Sequence, residues 1–81
     1  MQVGSIIVLR DDNGFEQPIM ITELEPHPSR TEHVVVRLAD GERLSLALSE
    51  YGGGGAGWMY ASVHEAPLDQ PYRHWGWKLV A

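Results

Sequence analysis

The chain has 81 residues, 11 of them acidic and six basic, a formal net charge of −5 and no cysteine. That length holds one domain, 1–81, because a second core would need at least ~50 further residues. The composition excludes disulfides and thiolate metal sites, and it lacks the basic stripe that supplies nucleic-acid affinity. From Tyr72 onward the only charges are Arg73 and Lys78, joined by His74, which reads as the solvated face of a strand. A domain this small buries only about 60–65% of its unfolded surface, and self-association is a common way to bury more. Only the short apolar run Ile6 to Leu9 follows the start, bracketed by Gly4, Ser5, Arg10 and Asp11. No run approaches the roughly 18 apolar residues of a membrane span, so a cytoplasmic protein is expected.

Val3 to Arg10 reads as a first strand of mainly β-branched residues. Asp12-Asn13-Gly14 is a hairpin turn, and Phe15 to Leu24 is the return strand. Pro18 removes a ladder donor, which places it at a sheet edge or a bulge. Glu25 to Glu32 contains Pro26 and Pro28 and reads as a loop. His33 to Leu48 gives the clearest register. A three-residue loop, Ala39-Asp40-Gly41, pairs Val36 with Leu44 and Val34 with Leu46 on one face, with Arg37, Arg43, Val35 and Ser45 on the other. One helical turn is compatible with Ala47 to Tyr51.

Ser49 to Tyr60 sets a glycine run directly against large aromatics. Five glycines in six positions, 52–57, cannot sit in a stable helix and mark a hairpin tip or a ligand-facing loop. Trp58 to His64 then alternates on both faces, as a central or interfacial strand does. Pro67 to Pro71 connects to the last strand, Tyr72 to Ala81, where Trp75, Trp77 and Leu79 share a face. Five to six short strands at turn spacing make an all-β fold: a small, strongly bent antiparallel sheet or barrel of SH3-like size. A half-barrel completed by a second subunit fits the same pattern.

Gly52, Gly54 and Gly57 formally spell G-x-G-x-x-G, but a strand-like Trp58-Met59-Tyr60 follows where a dinucleotide site needs a helix. The histidines His27, His33, His64 and His74 lack tight ligand spacing, so no metal and no cofactor is expected. Ser62 and His64 share a strand face without an acid to orient the imidazole. The paired carboxylates Glu23 with Glu25 and Asp40 with Glu42 read as solvated charge beside turns. A tiny barrel becomes an enzyme where several chains build one site, and binding without catalysis is the stronger expectation.

The aromatics carry the functional reading. Trp77 is assigned to the core. The expected partner surface comprises Tyr51, Gly52, Gly53, Gly54, Gly55, Trp58, Tyr60, Tyr72 and Trp75, with His64, Glu65 and His74 as polar contributors. Trp58 and Tyr72 border loops, so truncating them should weaken association rather than folding. The expected function is an interaction module for a protein partner or for self-association. The alternative is an oligomeric barrel with a small-molecule pocket near the subunit interface.

Overall fold

The computed structural model describes residues 1–50, 57–63 and 74–81. Six antiparallel strands follow one another as a meander: β1 (Ile6–Arg10), β2 (Glu16–Pro26), β3 (His33–Leu38), β4 (Arg43–Glu50), β5 (Met59–Val63) and β6 (His74–Leu79). The sheet closes when β6 pairs with β1, Leu79 opposite Ile7 and Trp77 opposite Leu9. Closure within one chain makes a second subunit unnecessary for the barrel, which corrects the half-barrel alternative. No helix occurs among the described residues, and hence none long and apolar enough to cross a membrane.

Turn chemistry sets the strand ends. β1 starts later than Val3 because Gln2 to Ser5 fold back on themselves, the Ser5 N–H donating to the Gln2 carbonyl at 3.0 Å with Gly4 at φ +93°. At the next turn Asp11 Oδ1 accepts from the N–H groups of Asn13 (2.9 Å) and Phe15 (3.0 Å), with Gly14 at φ +81°. This is the side-chain turn that Asp favours and that Gly permits.

β2 is long and serves two neighbours. Its first half, Glu16 to Met20, pairs with β1, and its second half, from Ile21, pairs with β3 across an irregularity at Thr22. The Thr22 hydroxyl donates to the Arg37 carbonyl at 3.2 Å there. Pro18 lies in the half with no β3 partner. The Ile21 N–H donates to Ser5, so by ladder alternation the Pro18 nitrogen points to the open side, where a missing donor blunts the edge. The strand also runs on through Pro26, beyond the expected loop boundary at Glu25.

The β3–β4 register is the one read from the sequence: Val34 with Leu46, Val35 with Ser45, Val36 with Leu44 and Arg37 with Arg43. Gly41 takes φ +92° and donates to the Leu38 carbonyl. β4 continues to Glu50, which replaces the helical turn at Ala47; Tyr51 lies outside the described residues. The β4–β5 ladder is irregular between Leu46 and Glu50. Inside that irregularity the Ala47 carbonyl accepts from Trp77 Nε1 at 3.0 Å. Trp77 is core, as expected, and its indole N–H is satisfied.

Ile7, Leu9, Ile21, Val36, Leu38, Leu44, Leu46, Ala61 and Trp77 fill the interior. The outer wall is less exposed than alternation suggests. Ser45 is 3% exposed, Val35 is equally covered, and Ser62 beside them is buried too. Alternation decides which wall a side chain leaves from, whereas exposure depends on what stands beside it. Ser45 stands between Val35 and Ser62 of the neighbouring strands, with the longer Arg43 two residues before it on the same wall. Glu23 and Glu25 are likewise strand residues, paired on this wall with Arg37 and Arg43 at 3.3 Å each.

Candidate functional site

The six-strand meander puts alternate connections at opposite ends of the barrel. The β1–β2 and β3–β4 turns share one end with the strand termini Val63 and His74. The β2–β3 connection, Glu50 and Met59 lie at the other. At the first end the inward-pointing rows run past the strands. Leu9 leads to Asp11, Gln17 back to Phe15, Leu44 back to Glu42, and Trp77 back to Trp75. The core thus opens into a mouth whose lining changes from aliphatic to aromatic and acidic.

That mouth holds an open pocket of about 160 Å³ lined by Leu9, Phe15 and Trp75 together with Asp11, Asp40 and Glu42. Phe15 is 65% exposed, unusual for its residue type, while Trp75 packs partly on the core. The two aspartates are fixed by their turns: Asp40 Oδ1 accepts the Glu42 N–H at 2.9 Å, as Asp11 Oδ1 accepts those of Asn13 and Phe15. No lysine or arginine lines the pocket among the described residues. Nor do any three carboxylates or histidines among them come close enough to hold a metal ion. The described lining of the mouth therefore sets carboxylates beside aromatic faces.

Among the described residues of the expected surface, the aromatics leave the sheet on different sides. Trp75 points into the mouth, whereas Trp58 and Tyr60 stand on the outer wall. Tyr51, Gly52 to Gly55, His64, Glu65 and Tyr72 lie outside the described residues. His74 opens β6, its backbone paired with Ser62. Trp58 is not an open platform: it is 6% exposed. The Arg10 guanidinium lies 4.2 Å and the Lys78 ammonium 4.5 Å from the ring centroid. Gly76, opposite Arg10 in the ladder, leaves the space that the indole occupies. The absence of a side chain on the neighbouring strand, invisible from position 58 itself, is what buries it.

At the opposite end His27 Nδ1 accepts the N–H groups of Ser29 (3.1 Å) and Arg30 (2.9 Å), holding the β2–β3 loop. Its ring meets His33 edge-on at 6.1 Å. Burial, then the charges of Arg30 and His27, lower the His33 pKa, with Glu32 opposing. The pocket residues Asp11, Phe15, Asp40 and Glu42 were missed as a site because the three acids read as turn chemistry and Phe15 as the start of a strand. The signal available in the sequence was the continuation of the inner alternation beyond both hairpin turns. No protein-family model, curated protein or solved structure matches this chain significantly.

Proposed function

We propose that this chain is a cytoplasmic protein-interaction module of SH3-like size that engages a partner protein at the barrel mouth. The observation that carries the reading is the exposed Phe15 beside Trp75 on the rim of a pocket that continues the core. An exposed aromatic at a concave, partly apolar site is the usual anchor of a protein interface. Size separates this reading from a small-molecule site. About 160 Å³ is well below the roughly 300–1,000 Å³ of pockets that enclose a small ligand. It suits one side chain, whose remaining affinity comes from the surface around it.

Self-association is a second reading, favoured by an outer-wall row in which Val80, Ile6 and Met20 lie side by side, with Val80 and Met20 exposed. A dimer in sedimentation equilibrium that Met20→Glu dissolves supports it. For the primary reading, a photo-crosslinking phenylalanine analogue is placed at Phe15 and, as a control, at Leu79 near the other end. Expected is a discrete adduct in cells from position 15 alone. The purified partner should then bind the chain, and Phe15→Ala should weaken it by roughly 30-fold, as for an interface anchor. No adduct from position 15, or the same adducts from both positions, refutes the reading.

A further inference from the structure

We infer that the occupant of the mouth is a cationic side chain, lysine or arginine, presented by the partner. The inference rests on the reading of the mouth as a partner site and names the chemistry that site selects. Three properties of the pocket lead to it. Its polar lining includes Asp11, Asp40 and Glu42, with no basic residue among the described lining. Its aromatic lining, Phe15 and Trp75, offers π faces that attract a cation from within about 6 Å. Its floor is Leu9, apolar and nearly buried, on which a methylene stem can lie while the charged head stays among the carboxylates.

The geometry also sorts between cations. A metal ion needs three or more oxygen or nitrogen ligands converging on one point, and the described residues hold no such group. An organic ammonium or guanidinium needs no such convergence, because its attraction to spread carboxylates and ring faces is long-ranged and weakly directional. The chain's net charge of −5 adds a field of the same sign, which raises the encounter rate with a basic segment at low salt. The interior behind Leu9 is filled by Ile7, Leu44 and Trp77, so the pocket ends there and admits a side chain but not a longer ligand.

The test uses the full chain and five peptides or amines of known composition, read by amide and indole chemical shifts in nuclear magnetic resonance. Acetyl-Gly-Gly-X-Gly-Gly-amide is titrated with X as lysine, arginine or norleucine, beside n-butylammonium and the glutamate peptide. Expected are saturable shifts at Phe15, Gly41, Glu42 and the Trp75 indole with lysine or arginine, absent with norleucine and glutamate. Asp11→Asn with Asp40→Asn removes two charges while leaving the acceptor oxygens that cap both turns. It should weaken binding by roughly two- to thirty-fold, as the loss of two exposed charge pairs does, and Phe15→Ala by roughly five- to thirty-fold, the range of a partly desolvated cation–π contact. Glu23→Gln, on the outer wall, should leave binding unchanged.

Equal binding of the norleucine peptide, shifts spread over the whole acidic surface, or no response to either basic peptide overturns the cationic occupant. Tighter binding of n-butylammonium than of both basic peptides reassigns the pocket to a free amine and overturns it as well. Crosslinking from position 15 without any peptide response refutes the cation and leaves the partner site standing. Peptide binding without any crosslink keeps the cation and refutes the protein partner.

Discussion

Gly76→Ala should destabilise the native chain yet stabilise a chain that already lacks Trp58. A Cβ at position 76 would stand 3.2 Å from Cε3 and 3.6 Å from Cδ2 of Trp58, so the ring would have to give by a few tenths of an ångström. The backbone at Gly76 lies outside the left-handed region, so alanine itself suits the strand. Without the indole, the substitution gains about 0.4–1 kcal/mol by restricting the unfolded chain. With the indole in place, overpacking costs about 1–3 kcal/mol and outweighs that gain. The ring has little room to yield, being 6% exposed with Arg10 and Lys78 over it.

Trp58→Ala alone should cost about 3 kcal/mol, the low end for a buried tryptophan because this one sits on the outer wall. It should not behave as a surface residue does. Comparing the two single variants with the double variant, the double should unfold at higher urea than Trp58→Ala, with a coupling of about 1–3 kcal/mol. Urea unfolding followed by far-ultraviolet circular dichroism measures this without relying on tryptophan emission. Added sucrose keeps the weakest variants folded at the start of the transition. If Gly76→Ala shifts the midpoint in the same direction and by the same amount in both backgrounds, the packing of Trp58 on Gly76 is refuted.

Three further outcomes follow from single groups. Ser45→Ala should raise stability by about 0.5–2 kcal/mol, because Ser45 Oγ is buried without a hydrogen-bond partner among the described residues. Arg37→Ala, whose ion pair is exposed, should change stability by less than ~0.5 kcal/mol in the same urea assay, and a fall with Ser45→Ala would contradict the burial argument. His33 gives a pH dependence. Its pKa lies below 6.5 in the folded chain, chiefly from burial, so the unfolded chain takes up the proton first. Stability should therefore decline as pH falls from about 7 towards 5, its contribution lost once pH passes below the folded pKa. His33→Gln should flatten that decline, and an unaltered slope would show that other groups cause it.

What the sequence revealed was what neighbours along the chain decide. The Ala39-Asp40-Gly41 loop length sets which wall Val36 and Leu44 share, and the observed ladder has that register. Pro18 constrains its own strand, and it sits on the open half of β2. What stayed hidden depends on residues one strand over. Trp58 seemed accessible because it borders a glycine run, yet Gly76 on β6 gives it a seat. Ser45 seemed exposed because it alternates with Leu44 and Leu46, yet its row is covered.

The mouth was hidden for a different reason: its residue types already had an explanation. Asp11 and Asp40 sit where turns call for a side-chain acceptor, and each makes the expected bonds to the following N–H groups. An asparagine would supply the same acceptor, so the turns account for the oxygen and not for the charge. Phe15 has the same surplus, since a strand start needs no large exposed aromatic. Glu42 adds a third carboxylate to the same pocket. Closure of the barrel brings these surpluses from two hairpins to one rim. An unneeded charge is weak evidence at one turn, but at one pocket beside two aromatic rings it supports the proposed selectivity. That convergence is why the proposed occupant is cationic, and why charge-neutral asparagine substitutions separate the site from the fold.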